Sequence, residues 1–219
     1  AFIANNALDE SNKLELTQKI NQILNGRTLT ADSLSYLINV PKLTEMVDEF
    51  TSYAENVNTG VGLKNISTVY YNQDQVIHIR DSFTAAVAMS SNRIAKYESF
   101  GSTNSKGWYI SDGMLYVYTD GKQYTDSWFD YVNPYYMPGT TVDSTEREVI
   151  NTGQAENWGL PENTWAGGVS DGVNIVAGYQ LGNQYVSGLK GNKSYFLFGD
   201  KIIALGSGIS GGKGEAYTV

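Results

Sequence analysis

Hydrophobic positions recur along this chain in two rhythms. Before Val57 they fall at helical spacing: Leu16, Ile20, Ile23 and Leu24, then Leu34, Leu37 and Ile38, then Leu43, Met46, Val47 and Phe50. Each set makes one apolar stripe, which predicts three short helices. Asp9 to Ser11 offers capping oxygens for the first, Gly26 stops it, and Pro41 separates the second from the third. Three short helices bury little alone, so they are expected to pack on something larger. After the linker-like Val57-Asn58-Thr59-Gly60-Val61-Gly62 the rhythm becomes alternation. Phe83, Ala85, Val87 and Met89 share one strand face, and Met114, Tyr116 and Tyr118 share another. Asn174–Tyr179, Tyr195–Phe198 and Lys201–Leu205 are further strand candidates. Turn signals at Asp120-Gly121, Pro138-Gly139 and Asp171-Gly172 cut the region into short antiparallel units. The expected architecture is mainly β with an N-terminal helical segment: helices over residues 1–58, then an antiparallel β-sandwich over 63–219.

Composition narrows what such a fold can do. A hydrophobic fraction of 41% and 219 residues suffice for a sizeable core. The net charge of −8 repels nucleic acid and anionic lipid at long range, and no apolar run approaches membrane-spanning length, so neither nucleic-acid binding nor membrane insertion is expected. With no cysteine there is neither a disulfide framework nor thiol chemistry. Nucleotide-cradling glycine motifs, zinc-protease and serine-hydrolase motifs are all missing. The single histidine, His78, lies among apolar residues in the strand-like Val76–Arg80 and reads as structural. Trp108, Trp128 and Trp165 sit in or beside strand patterns and read as core, whereas Trp158 lies in the irregular stretch 143–165. A loop of that length in a compact sandwich is usually functional or mobile.

The stretch from Asn92 to Tyr118 is dense in features a generic β-domain does not need. Ser91, Arg93, Tyr97 and Glu98 are followed by a polar turn to Asn104, then by Lys106-Gly107-Trp108-Tyr109 and Asp112-Gly113. In that order and register they resemble the β-sandwich core of polysaccharide lyase family 8, the hyaluronate, chondroitin and xanthan lyases. There a strand S-x-R-x-x-x-Y-E leads through an N-x-E-N loop to K-G-W-Y and D-G. Four further blocks follow in family order: Asp126-Ser127-Trp128 to Val132-Asn133-Pro134-Tyr135, Met137-Pro138-Gly139-Thr140-Thr141, Ala166-Gly167-Gly168-Val169-Ser170, and Asp200 to Ile209.

The resemblance implies a supersandwich-type fold, with the opening helices as the end of an α/α toroid. It implies a secreted bacterial enzyme that cleaves a uronic-acid polysaccharide by β-elimination. Its partners would be the anionic polysaccharide and the rest of the same lyase, namely the toroid and a C-terminal β-domain. The family's Asn, His and Tyr of catalysis belong to the toroid, and their motifs are not in this chain, so it is expected to supply one wall of a cleft and to be of uncertain activity alone. By resemblance Glu98 supports catalysis by holding an active-site arginine and is not the base, while Asn104, Arg93 and Trp158 are candidates to face substrate. Two departures stand out: Gly101 replaces the first asparagine of the loop and Thr103 its glutamate. They leave open an alternative, a non-catalytic carbohydrate-binding or scaffold sandwich derived from such a lyase. No cofactor is expected. Where some members hold calcium near a D-D-E triplet, this chain reads Gly199-Asp200-Lys201, so no metal is expected there.

Overall fold

The computed structural model describes residues 7–24, 65–99, 103–119, 123–124, 128–149, 160–182 and 187–219. The chain forms two compact units, Ala1–Lys64 and Asn65–Val219.

In the first unit α1 spans Glu10–Leu24. Asp9 caps it: its carboxylate accepts the backbone N–H of Asn12 at 3.0 Å and the Asn12 side-chain amide at 2.8 Å. These bonds hold the Asp9 carboxyl below its ordinary range. The helices expected around Leu34–Ile38 and Leu43–Phe50 lie outside the described residues.

The second unit carries two four-stranded antiparallel meanders. One is β1 (Ile66–Tyr70), β2 (Gln75–Ile79), β3 (Thr84–Ala88) and β4 (Met114–Tyr118), in that spatial order. The other is β6 (Ala166–Ser170), β7 (Ile175–Gly182), β8 (Lys190–Phe198) and β9 (Lys201–Ser210). Between them in sequence come a single helical turn, α2 (Trp128–Tyr131), and β5 (Thr141–Val142), which pairs with β10 (Tyr217–Thr218). Hydrophobic alternation builds the core. Val76, Ala85, Val87 and Met89 of one sheet meet Ile175, Ala177, Tyr179, Tyr195 and Leu197 of the other, all essentially buried. Full burial of a side chain such as Leu197 contributes roughly 1.5–3 kcal/mol. The turn at Asp171-Gly172 forms because Gly172 takes a φ of +89°. Its Asp171 carboxylate, accepting the N–H groups of Asn174 and Val173, is pulled down to about 2.

Several expectations need correction. The second sheet's strands outrun their hydrophobic alternation: β7 continues to Gly182, β8 begins at Lys190, and β9 extends to Ser210. Pairing with neighbours carries these glycine- and amide-rich ends; at Gly191 an added Cβ would stand 2.4 Å from the Ile209 side chain across the ladder. Tyr217-Thr218 pairs with β5, and Val219 N–H donates to Thr140 O at 2.9 Å. Among the described residues, β9 is an edge strand. Trp165 is not core: it is 52% exposed. It directly precedes Ala166, which faces inward, so the two-residue period of a strand sends the indole outward.

Polar bonds join the sheets at both ends. At one, Ser67 N–H donates to Gly172 O at 2.9 Å, and His78 Nε2 and Arg80 Nε donate to Gly199 O at 2.8 and 3.0 Å. At the other, Asn92 N–H donates to Asn163 O at 2.9 Å and Asn163 Nδ2 to Ser90 O at 2.8 Å.

Candidate active-site rim

The crossing from β3 to β4, residues 89–113, carries the family-like motif, and its conformation is held from within. Lys96 and Asp112 form a buried ion pair, with Nζ 2.6 and 2.8 Å from the two carboxylate oxygens and side chains only 6% and 2% exposed. Ser111 Oγ donates to Lys96 O at 2.5 Å, closing the same ring of contacts. Gly113 ends the crossing at a φ of +80°, where an added Cβ would stand 2.0 Å from the Tyr195 hydroxyl. That hydroxyl donates to Gly113 O at 2.9 Å.

The described part of the tip is polar and open. Tyr97 and Ser99 are buried, so Glu98 between them points to solvent. Asn104, in the left-handed region at φ +54°, donates from Nδ2 to Glu98 O at 2.8 Å. Its Oδ1 leaves no room for a side chain at Gly107, where a Cβ would lie 2.8 Å away. Glu98 and Asn104 are thus brought together, with the amide stitching the carboxylate's own segment. Among the described residues the Glu98 carboxylate has no side-chain partner.

Arg93 lies at the same end of the sandwich with its guanidinium engaged. It pairs with the buried Asp74 and donates to Ala166 O at 3.0 Å. Asp74 also accepts from Ser91 Oγ at 2.5 Å. Trp158 and Gly101 lie outside the described residues, while Thr103 is exposed beside Asn104.

Behind the rim stands an aromatic wall. Trp108 is 3% exposed and donates from Nε1 to Glu148 O at 2.9 Å, its ring 4.9 Å from Tyr135. Arg147 lies over the Tyr109 ring at 5.1 Å. Burial pushes the Tyr109 and Tyr116 hydroxyls up to about 12, so neither is primed to take a proton near neutrality. His78 is at the opposite end, fully buried, with Nδ1 2.7 Å from Ser67 Oγ and Nε2 bonded to Gly199 O. Burial lowers its pKa, against the opposing effect of the Gly199 bond, as befits a structural imidazole. Among the described residues no cluster of three or more His, Cys, Asp or Glu could hold a metal ion. Sequence reasoning missed Asp74 and the Lys96–Asp112 pair. Nothing local marks two opposite charges sixteen positions apart as partners.

Residues 65–219 match the family model for the super-sandwich domain of polysaccharide lyase family 8. The chain belongs to polysaccharide lyase family 8. This family-8 chain is 34% identical over 151 residues to a hyaluronate lyase of Thermasporomyces composti, covering 68% of the chain and 19% of that protein. It is 37% identical over 147 residues to a xanthan lyase of Bacillus sp. strain GL1, covering 67% of the chain and 15% of the relative. Among solved structures it resembles the Streptomyces coelicolor A3 chondroitin AC lyase in complex with chondroitin sulphate, with a TM-score of 0.74 and 26% identity, over 99% of this chain and 29% of that one. It also resembles the Paenibacillus xanthan lyase, with a TM-score of 0.72 and 28% identity, over 99% of this chain and 20% of that one. The family-8 chain therefore spans under a third of the length of these relatives.

Proposed function

We propose that this chain is a portion of a secreted bacterial polysaccharide lyase that cleaves a uronic-acid polysaccharide of hyaluronan, chondroitin or xanthan type by β-elimination, and that residues 89–113 form one wall of its cleft. The observation that carries the reading is the exposed Glu98 carboxylate on a segment clamped by Asn104 from one side and by the buried Lys96–Asp112 pair from behind. Elimination needs a base at the weakly acidic proton beside the sugar carboxyl and donors that neutralise the developing enolate. A carboxylate without a local partner suits an arginine or lysine brought from another segment, which it would orient through a charge-assisted bond. Glu98 is then a positioning residue, and the base lies outside the described residues; His78 is sealed in the core and cannot reach substrate. Asn104 holds the Glu98 segment, Arg93 holds the sandwich end through Asp74, and Trp158 is the proposed sugar-stacking ring. The names of the relatives support the substrate class, as does the chondroitin sulphate bound to one of them.

The test is turnover of uronic-acid polymers by the full-length protein, followed by the ultraviolet absorbance of the unsaturated product. Glu98→Gln should lower kcat by roughly 10²-fold with the fold intact, because misplacing a catalytic group costs about that much. Absence of product from every such polymer would overturn the reading. One observation favours a second reading, a carbohydrate-binding module without catalysis: Gly101 and Thr103 remove an amide and a carboxylate from the loop. Sugar binding without turnover by the full-length protein is its signature.

A further inference from the structure

We propose that the pocket where β6 begins and β7 ends beside β8 is a second saccharide site, with Lys190 in its wall as the contact to an acidic sugar and Trp165, which flanks the lining residues with its ring over Gly178 of the same sheet, as a stacking platform. A cavity of about 380 Å³ opens there, lined among others by Glu162, Asn163, Gln180, Lys190 and Asn192. It is separate from the Glu98–Asn104 tip yet at the same end of the sandwich. Its Asn163 wall is tied to the start of residues 89–113 through Ser90 and Asn92.

The composition of this pocket fits a sugar better than an apolar ligand. A sugar ring offers a C–H face to an aromatic ring and a belt of hydroxyls, each both donor and acceptor, which side-chain amides answer in kind. Those elements share the outer face of the second sheet. Gln180 N–H donates to Trp165 O at 3.1 Å, Gln180 lies opposite Asn192, and Asn192 lies opposite Ser207. Trp165, Gln180, Asn192 and Ser207 thus form one transverse row. Two glycines among the lining residues, Gly182 and Gly208, let a ligand approach the backbone closely.

The indole is held ready. Its ring rests on β7 at Gly178, where an added Cβ would lie 3.1 and 3.3 Å from ring carbons, yet Trp165 remains 52% exposed. A tryptophan supported on backbone glycine with so much surface open to water contributes little to the core. Lys190, exposed at the pocket wall, supplies a local positive charge in a chain of net charge −8. That points to a uronic-acid unit, with Glu162 available to accept from hydroxyls.

The choice of sugar rests on the lyase reading, but the site can be tested apart from it. The probe is the unsaturated hyaluronan disaccharide, which β-elimination cannot shorten further, titrated into the full-length protein beside neutral cellobiose. Trp165→Ala should weaken binding of both sugars about tenfold or more, the size of one good stacking contact. Lys190→Ala should weaken only the acidic one. Affinities unchanged in Trp165→Ala and Lys190→Ala, with wild-type thermal unfolding, would overturn the proposal. So would protection of Trp165 from acrylamide quenching in the unliganded full-length protein, since another part of the molecule would then cover it. Normal turnover with Trp165-independent binding sinks this site and spares the lyase reading. Trp165-dependent binding without turnover does the reverse.

Discussion

His78 has both ring nitrogens engaged in the interior. Nε2–H donates to Gly199 O, and Nδ1 lies 2.7 Å from the Ser67 hydroxyl, which donates to Val173 O at 2.6 Å. Burial disfavours the charged imidazolium, and the nearby Arg80 guanidinium adds to this, so the folded pKa lies below the unfolded one. Between the two values the unfolded chain takes up a proton that the folded chain refuses. The stability His78 contributes is present above about pH 6.5 and is lost as pH falls below it. Urea midpoints between pH 8 and 5 should fall less in His78→Gln than in the wild type. Lys193 is another buried ionisable group. It is 1% exposed, donates to Thr141 Oγ1 at 2.7 Å, and is lowered in pKa by burial. No described carboxylate pairs with it, so Lys193→Met is expected to raise the urea midpoint. The histidine was legible in the sequence because its apolar neighbours alternate around it. The lysine was not, because Asn192-Lys193-Ser194 reads as a polar stretch and only pairing with β7 and β9 turns it inward.

Loops and strands divide the stability differently. Residues 89–113 contribute few strand hydrogen bonds and depend on the buried ion pair and one glycine. Asp112→Ala leaves an ammonium in the interior without its counter-charge and should cost about 3–5 kcal/mol. Lys96→Met combined with Asp112→Leu should recover most of that loss in chemical denaturation, since an apolar pair of similar volume can replace a buried ion pair at little net cost. Gly113→Ala forces a Cβ against the Tyr195 hydroxyl at a positive φ and should cost on the order of 3 kcal/mol. Alternation exposed the strands with regular apolar positions, β2, β3 and β4, the first part of β7, the last part of β8 and the first part of β9. Their glycine- and amide-rich ends, and all of β1, β5, β6 and β10, depend on pairing with other strands. The candidate rim was legible only through motif resemblance, because what holds it is tertiary.

At the scale of the molecule, the two sheets are fastened to each other by polar groups at both ends, through Ser67, His78 and Arg80 at one and through Asp74, Asn92, Arg93 and Asn163 at the other. A sandwich joined by apolar contact alone can shear by small steps. Here any slip would break directional bonds at opposite ends together. The spacing between the Glu98 tip and the Trp165 pocket is therefore a fixed length set by the frame. A polymer gripped at both places would be measured like cloth against a ruler, with affinity rising in a step at the oligomer that first spans the gap.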